Sequence, residues 1–303
     1  MSTGAAIAIR GLTKRYGRLT AVRDLNLDVE VGEIFGFLGV NGAGKSTTIR
    51  ILLDFVRPTA GRASILGHDC QREGLAARAS VGYLPGELGF YEDMTGKAVL
   101  DVTARLSGAD AVRGAYRREL AERLELSASD LGRRIRDYST GMKRKLGIVQ
   151  AFQADPPMLV LDEPTEGLDP LMQEAFYTLL ADVRRRGRTV FMSSHVLSEV
   201  ERVCDRIAVI RQGALVLLST VDELRRIAAR RVRIIFDAAV PPPAALPEGC
   251  ELVDGAPAEW RVRVRGPLGP LLARLDGLAV RDLDVHEVPF EEVLRPYYRD
   301  EGT

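Results

Sequence analysis

The sequence predicts an α/β domain over residues 1–220, followed by a small α+β domain over residues 221–303. In the first part, short apolar runs such as Met158–Leu161 alternate with amphipathic segments of helical period, which is typical of buried parallel strands joined by helices. In the second part, the strictly alternating run Trp260–Arg265 indicates a half-exposed antiparallel strand. A chain of 303 residues is long enough for one large and one small domain, each with its own core.

A glycine-rich loop follows the predicted buried strand Glu33–Leu38. The segment Gly39–Ser46, with the sequence GVNGAGKS, fits the phosphate-binding pattern G-x-x-x-x-G-K-[ST], and a helix is predicted over Lys45–Phe55. The glycines let backbone N–H groups turn inward around phosphates, and the helix N-terminus adds a partial positive charge. An accidental match is disfavoured by the strand before the loop and the helix after it. We therefore expect a P-loop that binds a nucleoside triphosphate.

Polar side chains are expected at this same edge of the sheet. Lys45 would reach the β- and γ-phosphates, and the Ser46 hydroxyl would bind Mg²⁺. The run Met158–Leu161 ends in Asp162 and Glu163, and the carboxyl ends of parallel strands form the ligand edge of an open sheet. Asp162 would complete the protein contacts to Mg²⁺ directly or through water, and Glu163 would orient or deprotonate the water that attacks the γ-phosphate. The alternative for Glu163 is a surface acid beyond a strand.

A Ser/Gly turn about twenty residues before Asp162 narrows the class of ATPase. The turn Tyr138–Met142, with the sequence YSTGM, resembles the signature motif of ABC-type ATPases. From about residue 5 to residue 220 the chain is similar to an ABC nucleotide-binding domain, which implies the P-loop NTPase fold with a helical subdomain at about residues 87–140. Further positions that carry the resemblance, in the order of the family, are Tyr16, Glu163, Gly167–Asp169 and Ser193–His195.

The resemblance implies further contacts to the nucleotide. Tyr16 would stack on the adenine, with a tyrosine of the sheet or core as the alternative. His195 would contact the γ-phosphate and the attacking water, with an ordinary polar contact as the alternative. The expected cofactors are ATP and Mg²⁺. The expected ATP-binding residues are Tyr16, Gly39, Val40, Asn41, Gly42, Ala43, Gly44, Lys45, Ser46 and Thr47.

The signature motif implies a second subunit. By resemblance, Ser139 and Gly141, with Thr140 and Met142 beside them, contact the γ-phosphate on the P-loop of a partner, and the helix that follows directs its positive dipole end at that phosphate. Ser139 and Thr140 could instead only cap this helix. Asp169 would lie near the seam between the subunits. We therefore expect a head-to-tail dimer, preferably of two copies of this chain, with a paralogue as the other partner.

The sequence departs from the family pattern at two places. In the commonest signature, Leu-Ser-Gly-Gly-Gln, the residues at the positions of Tyr138, Thr140 and Met142 are different. In the loop after the strand near Tyr83, the family usually carries a glutamine that contacts Mg²⁺ and the attacking water and links the site to the membrane partner, whereas this chain has Gly86. Our hypothesis is that Glu87 takes over part of this role, because Gly86 lets the loop bring a carboxylate inward. An exposed loop acid is the equally open alternative.

The remaining segments resemble parts of drug-export ATPases. Helices are predicted over Lys97–Leu106 and Arg113–Leu126, and this insert resembles the subdomain that meets the membrane partner. It is short and lacks sustained heptads, which disfavours the coiled-coil insertions of DNA-repair relatives. A connecting helix is predicted over Asp222–Arg230. The C-terminal segment resembles, through its ending Val288–Leu294, the accessory domain of bacterial drug-export ATPases. Its arginines are expected to form a solvated face, with contact to anionic lipid headgroups as the alternative.

Composition limits the partners and the location. Lys plus Arg and Asp plus Glu both number 42, and no basic patch with aromatic residues stands out, so a nucleic acid partner is not expected. The three scattered cysteines suggest a reducing compartment and no metal site. The sequence has no signal peptide pattern and no apolar run of the roughly twenty residues that span a bilayer. We expect a peripheral protein on the cytoplasmic face of the membrane, with an integral membrane permease on a separate chain.

These observations predict the ATP-binding and hydrolysing subunit of a bacterial ABC exporter, of the type that exports antibiotics such as anthracyclines or peptide drugs. One alternative is a soluble ABC ATPase that acts on a macromolecular complex such as the ribosome, DNA or a cofactor-assembly machine. The other alternative is a regulatory module that binds the nucleotide without turnover, which is suggested only by Gly86.

Overall fold

The computed structural model describes residues 4–106, 114–227, 229–241, 243 and 245–298. The chain divides into two compact units, Met1–Leu218 and Ser219–Thr303, and each has its own hydrophobic core. Among the described residues the elements are, in chain order, β1 (Ile7–Tyr16), β2 (Leu19–Val29), β3 (Ile34–Leu38), α1 (Lys45–Leu52), β4 (Ala60–Ile65), β5 (His68–Asp69), α2 (Gly74–Ala79), β6 (Val81–Leu84), α3 (Gly96–Leu106), α4 (Gly114–Arg123), α5 (Ala128–Gly132), α6 (Thr140–Phe152), β7 (Met158–Asp162), α7 (Pro170–Arg185), β8 (Thr189–Ser194), α8 (Leu197–Val203), β9 (Arg206–Arg211), β10 (Ala214–Thr220), α9 (Val221–Ile227), β11 (Arg230–Phe236), β12 (Cys250–Ala256), β13 (Glu259–Val264), α10 (Gly269–Leu275), β14 (Val280–Glu287) and α11 (Phe290–Tyr298).

The first unit contains an antiparallel sheet at its N-terminal end. Its strand order among the described residues is β2-β1-β4-β5, and Ile7, Ile9 and Leu12 of β1 are fully buried. The sequence did not predict this sheet, because register shifts in the pairing of β1 with β2 break the two-residue alternation by which a strand is recognised. The sheet places Tyr16 at the end of β1.

The predicted buried strands form a second sheet in the same unit, which confirms the α/β fold. Its order among the described residues is β10-β9-β3-β8-β7-β6, with parallel pairing from β6 through β7, β8 and β3 to β9. Every residue of β3 and β7 is buried, and Phe35 stacks on Phe191 with ring centroids 5.9 Å apart. Because parallel strands end at the same edge, the residues after Leu38, Asp162 and Ser194 meet there.

The predicted helices of this unit are present, but some ends are displaced. Helix α1 ends before the predicted Phe55, because Asp54 has a positive φ of 57° that a helix cannot continue through. Helix α4 ends before the predicted Leu126 because Glu125 has a φ of 52°, and the predicted start at Arg113 lies outside the described residues. Across the described ranges, no helix is both long and apolar enough to cross a bilayer.

The second unit is a small α+β structure built on an antiparallel sheet. Its order among the described residues is β12-β13-β11-β14. Alternate residues of β11 and β13 are buried together with Leu271 and Leu275 of α10, and the Trp260 ring lies 4.7 Å from the Phe236 ring. The connecting helix α9 ends at Ile227 rather than at Arg230, because Arg230 already pairs with β13 and β14.

The other face of this sheet carries the predicted arginine cluster. Nη2 of Arg231 lies 2.6 Å from Oε2 of Glu292, and Nη2 of Arg233 lies 2.9 Å from Oε2 of Glu259. Nε of Arg261 is also 3.0 Å from Oε1 of Glu259. Exposed pairs of this kind contribute little to folding, because solvent screens them. They do, however, satisfy these guanidinium groups within the chain, which favours a solvated face over contact with anionic lipid headgroups.

Candidate nucleotide-binding and catalytic site

The glycine-rich loop connects the buried strand β3 to helix α1. Gly44 is the residue before the helix and has a φ of 111°, and a Cβ at this position would lie 2.4 Å from the carbonyl oxygen of Ala21. Only glycine fits both restrictions. Lys45 is the first residue of α1 and is buried, and its Nζ donates a hydrogen bond of 2.6 Å to the carbonyl oxygen of Gly39. The loop is therefore closed by the lysine that the sequence assigns to the phosphates.

An open cleft of about 320 Å³ lies over this loop. Tyr16 lies at the edge of this cleft and is 45% exposed, and Nζ of Lys14 lies 4.8 Å from the centroid of its ring. Two of the predicted ATP-binding residues do not line the cleft. Ala43 is buried, and Gly39 contributes the carbonyl oxygen that Lys45 contacts. The residues that line the cleft are Tyr16, Leu19, Ala21, Val40, Asn41, Gly42, Gly44, Lys45, Ser46, Thr47 and Glu163.

Glu163 contacts two of the other predicted site residues at the edge of the cleft. Its Oε1 lies 3.2 Å from Nζ of Lys45, and its Oε2 lies 2.8 Å from Nδ1 of His195. The backbone of Glu163 has a φ of 49°, and its N–H donates to both the carbonyl oxygen and Oγ of Ser193. Holding a non-glycine residue in this region costs about 1–3 kcal/mol and is common at functional sites. A carboxylate is thus fixed between a buried ammonium group and an imidazole.

Asp162 lies directly before Glu163 and is oriented by β8. Its Oδ1 accepts a 2.5 Å hydrogen bond from Oγ of Ser193. No group of three or more His, Cys, Asp or Glu side chains in the described residues could hold a metal ion by itself. A hydroxyl such as that of Ser46 and one carboxylate nevertheless suit Mg²⁺, which usually keeps waters and binds substrate phosphates alongside few protein ligands. The donor set of Ser46 and Asp162 therefore fits the predicted metal.

The loop with the missing glutamine lies against this aspartate. A Cβ on Gly86 would be 3.5 Å from Oδ2 of Asp162, so residue 86 borders the predicted metal ligand. Glu87 is exposed, and among the described residues its carboxylate has no hydrogen bond or ion pair with the cleft residues. The hypothesis that Glu87 replaces the glutamine thus remains a prediction, and this conformation places its carboxylate in solvent.

The signature residues form a separate surface. Ser139 is the N-cap of α6, where its Oγ accepts a 3.2 Å hydrogen bond from the N–H of Met142. Ser139 and Thr140 are exposed and do not line the P-loop cleft, and Gly141 packs against the carbonyl oxygen of Gly167. The capping alternative and the predicted contact to a partner are compatible, because the capping bond uses only one lone pair of the hydroxyl. Asp169 likewise caps α7 through the N–H of Met172.

Three buried polar residues support the site although the sequence analysis assigned no role to them. Ser193 holds both Asp162 and Glu163, as described above. Glu199 accepts a hydrogen bond from Thr165 at 2.5 Å and one from Ser194 at 3.1 Å. Arg144 donates to main-chain carbonyl oxygens of two loops, and burial lowers the pKa of its guanidinium group. Except for Ser194, the hydrogen-bond partners of these residues are distant in sequence, so no local pattern could assign them these roles.

Comparison with known proteins places this geometry in a family. Residues 22–166 match the family described as ABC transporter. The chain is 38% identical over 222 residues to the daunorubicin resistance ATP-binding protein DrrA3 of Streptomyces coeruleorubidus, which covers 73% of this chain and 70% of that protein. It is 37% identical over 223 residues to the bacitracin transport ATP-binding protein BcrA of Enterococcus faecalis, covering 73% and 71%.

The chain belongs to the ABC transporter family. A solved ATP-binding subunit of an ABC transporter has a TM-score of 0.69 at 30% identity, covering 73% of this chain and 92% of that structure. As a member of this family the chain binds ATP and is an ATPase, which confirms the class predicted from the P-loop, the acidic strand end and the signature turn.

Proposed function

We propose that this chain is the energy-coupling subunit of a bacterial ABC exporter that expels a drug, an antibiotic or a similar compound. The observation that carries the proposal is the position of the Glu163 carboxylate between Lys45 and His195 in the cleft above the P-loop. A site that hydrolyses ATP needs a carboxylate in such a position, whereas a site that only binds ATP does not. The export of such compounds is inferred from similarity to the daunorubicin and bacitracin proteins.

In the proposed reaction, the chain positions ATP and a water molecule. The P-loop N–H groups and Lys45 bind the phosphates, and Tyr16 stacks on the adenine. Ser46 and Asp162 hold Mg²⁺, which when bound neutralises charge that develops on the phosphate oxygens. Glu163 orients the attacking water and accepts its proton, and His195 holds the carboxylate in place and contacts the γ-phosphate.

A second copy of the chain would complete each site. Ser139, Thr140, Gly141 and Met142 lie outside the cleft of their own chain, so they are available to a nucleotide on a partner. In the proposed head-to-tail homodimer the N-terminus of α6 meets the γ-phosphate of the partner's nucleotide. Asp169 would then lie at the seam. ATP would hold the dimer closed, and hydrolysis would release it.

The partner that crosses the membrane would dock on an apolar groove beside the Gly86 loop. This groove encloses about 220 Å³ between that loop, α3 and α6. Its rim exposes 79% of Tyr91, 44% of Val102 and 81% of Leu106. Apolar grooves of this kind bind amphipathic helices. We infer that a helical segment of a separate permease docks here, with the chain on the cytoplasmic face of the membrane.

Purification of the tagged chain from its native membranes tests this proposal. We expect a membrane protein with about six hydrophobic spans to co-purify, and we expect Val102→Asp to abolish that association. Leu75→Asp is the matched control, because Leu75 is 82% exposed but lies outside the groove. Equal association of both variants would argue against the groove. Co-purification of a ribosomal or other macromolecular complex instead would favour the soluble ATPase.

The alternative of a regulatory module without turnover is less well supported. It rests on the absence of a side chain at Gly86 alone, whereas the Glu163 carboxylate lies within hydrogen-bonding distance of both Lys45 and His195. Steady-state ATP hydrolysis by the purified chain distinguishes the two, because a regulatory module would bind ATP and release it unchanged.

A further inference from the structure

Arg144 is a buried cation whose hydrogen bonds connect two loops of the site. Its side chain is 6% exposed. Nε donates to the carbonyl oxygen of Glu166 at 3.0 Å, Nη1 to that of Pro85 at 3.0 Å and Nη2 to that of Gly86 at 2.7 Å. Burying a charge is costly unless hydrogen bonds compensate, so these three carbonyl contacts determine where the two loops can lie.

The carboxylate of Glu166 is not the main partner of this arginine. Its Oε2 lies 3.7 Å from Nη2 of Arg144, and the side chain is 66% exposed. An exposed carboxylate at that distance contributes little. The carboxylates of Asp162 and Glu163 also favour the positive charge of the guanidinium group. The main partners of Arg144 are therefore main-chain carbonyl groups, and Arg144 in turn fixes the two loops to which these groups belong.

The connected segments are the parts of the site that must act together. One is the Pro85–Gly86 loop, which borders Asp162 and faces the apolar groove. Another is the turn from Glu163 to Asp169, which begins with the proposed catalytic carboxylate. The third is α6 itself, which carries Arg144 one turn after the signature residues. Among the described residues, no other side chain hydrogen-bonds to both the Pro85–Gly86 loop and the turn from Glu163 to Asp169.

We propose that Arg144 is a positioning residue that links movement of the Pro85–Gly86 loop to the turn carrying Glu163. Since Gly86 has no side chain, its carbonyl oxygen and Arg144 provide the connection. The planar fork of the guanidinium group is essential, because it presents N–H groups in fixed directions to carbonyl oxygens on both loops. A lysine would keep the charge but lose this fixed geometry.

This inference rests on the proposed function for the role of the turn, but its test requires only this chain and ATP. Hydrogen–deuterium exchange is measured by mass spectrometry in the Glu163→Gln background, which keeps ATP intact, with and without Mg²⁺-ATP. The variants compared are Glu163→Gln alone and Glu163→Gln with Arg144→Lys. Peptides covering residues 39–47 report binding at the P-loop, and peptides covering residues 82–92 report the response of the Pro85–Gly86 loop.

We expect ATP to protect both segments in Glu163→Gln alone, and only residues 39–47 when Arg144→Lys is added. In the otherwise wild-type chain, Arg144→Lys should lower kcat about 10- to 100-fold, because small misplacements of catalytic groups have effects of this size. It should leave KM for ATP within about twofold. A merely structural role would not separate kcat from KM or remove protection from one loop alone.

Arg188→Lys is the matched control. Arg188 also forms a bidentate pair, with Nη2 2.6 Å from Oδ2 and Nε 3.3 Å from Oδ1 of Asp155, and neither residue lines the nucleotide cleft. This control should retain the kcat of the wild-type chain. In the Glu163→Gln background it should retain ATP protection of residues 82–92.

The possible failures are distinguishable. If residues 39–47 of Glu163→Gln gain no protection from ATP, the proposed nucleotide site itself is wrong. If these residues are protected but residues 82–92 respond equally with and without Arg144→Lys, or respond in neither, the proposal for Arg144 is overturned. If Arg144→Lys and Arg144→Gln both fail to fold while Arg188→Lys folds, Arg144 is a structural residue and the proposal is also overturned.

Discussion

Replacing Gly44 by alanine is expected to weaken ATP binding by about 100-fold. The φ of 111° at this position disfavours any side chain and costs a non-glycine residue about 1–3 kcal/mol. An added Cβ would also lie 2.4 Å from the carbonyl oxygen of Ala21, roughly 1 Å closer than a relaxed contact. Because Ala21 is part of β2, we expect the P-loop to move instead. A displacement of about 1 Å can cost about 100-fold, which is equivalent to ~2.8 kcal/mol of binding free energy.

The variant Gly67→Ala separates the backbone cost of a positive φ from the steric contact that an added Cβ makes in Gly44→Ala. Gly67 has a φ of 86°, lies between β4 and β5 outside the cleft, and has no described atom within 4 Å of an added Cβ. It should lower the free energy of unfolding by a similar backbone cost and leave ATP affinity unchanged. Titration with a fluorescent ATP analogue measures the affinity, and thermal unfolding of the same samples measures stability. Wild-type affinity in Gly44→Ala would contradict the expected displacement of the P-loop.

Three further predictions concern the cleft and the second unit. Tyr16→Ala should raise KM for ATP about 10-fold, since base–aromatic stacking contributes roughly 1–3 kcal/mol, whereas Tyr16→Phe should retain the wild-type KM; equal KM values for the two variants would exclude stacking. His195→Ala should lower kcat by roughly 100-fold or more with little change in KM, because His195 contacts Glu163 and in the proposed reaction also contacts the γ-phosphate; an unchanged kcat in a steady-state assay would remove His195 from this role. Arg233 and Arg261 lower the pKa of Glu259 from 4.5 to about 2, so its stabilising charge is fully present above pH 4.5 and is lost as the pH falls towards 2. Urea unfolding followed by fluorescence of Trp260, the single tryptophan, should therefore show a smaller loss of stability between pH 5 and pH 3 in Glu259→Gln than in the wild-type chain, and equal losses would contradict this pairing.

The sequence was most informative where function depends on neighbours along the chain. The P-loop is contiguous, and Asp162 and Glu163 end a strand whose burial is evident from its composition. The P-loop and these two acids meet at one edge of the sheet because the strands before them are parallel. The proximity of Glu163 to Lys45 could therefore be expected from the sequence. The signature turn is also local, and Ser139 begins its helix as the capping pattern indicates.

The parts that the sequence did not reveal depend on contacts between distant segments. Arg144 appears in the sequence as one of several basic residues on an amphipathic helix, and only the fold brings three carbonyl groups of two loops to it. Ser193 and Glu199 are similar cases, because their hydrogen-bond partners come from other strands and turns. The antiparallel sheet was missed for a different reason, since register shifts in β1 obscure its alternation.

The mass of the Glu163→Gln chain in Mg²⁺-ATP tests directly whether the cleft of one chain is completed by the signature turn of another. Light scattering should give a dimer in ATP and a monomer without it. Adding Ser139→Asp should abolish the dimer, because aspartate keeps the N-cap of α6 but brings a negative charge to the partner's γ-phosphate. A Glu163→Gln chain that stays monomeric in ATP, or a dimer that Ser139→Asp leaves intact, would contradict the account.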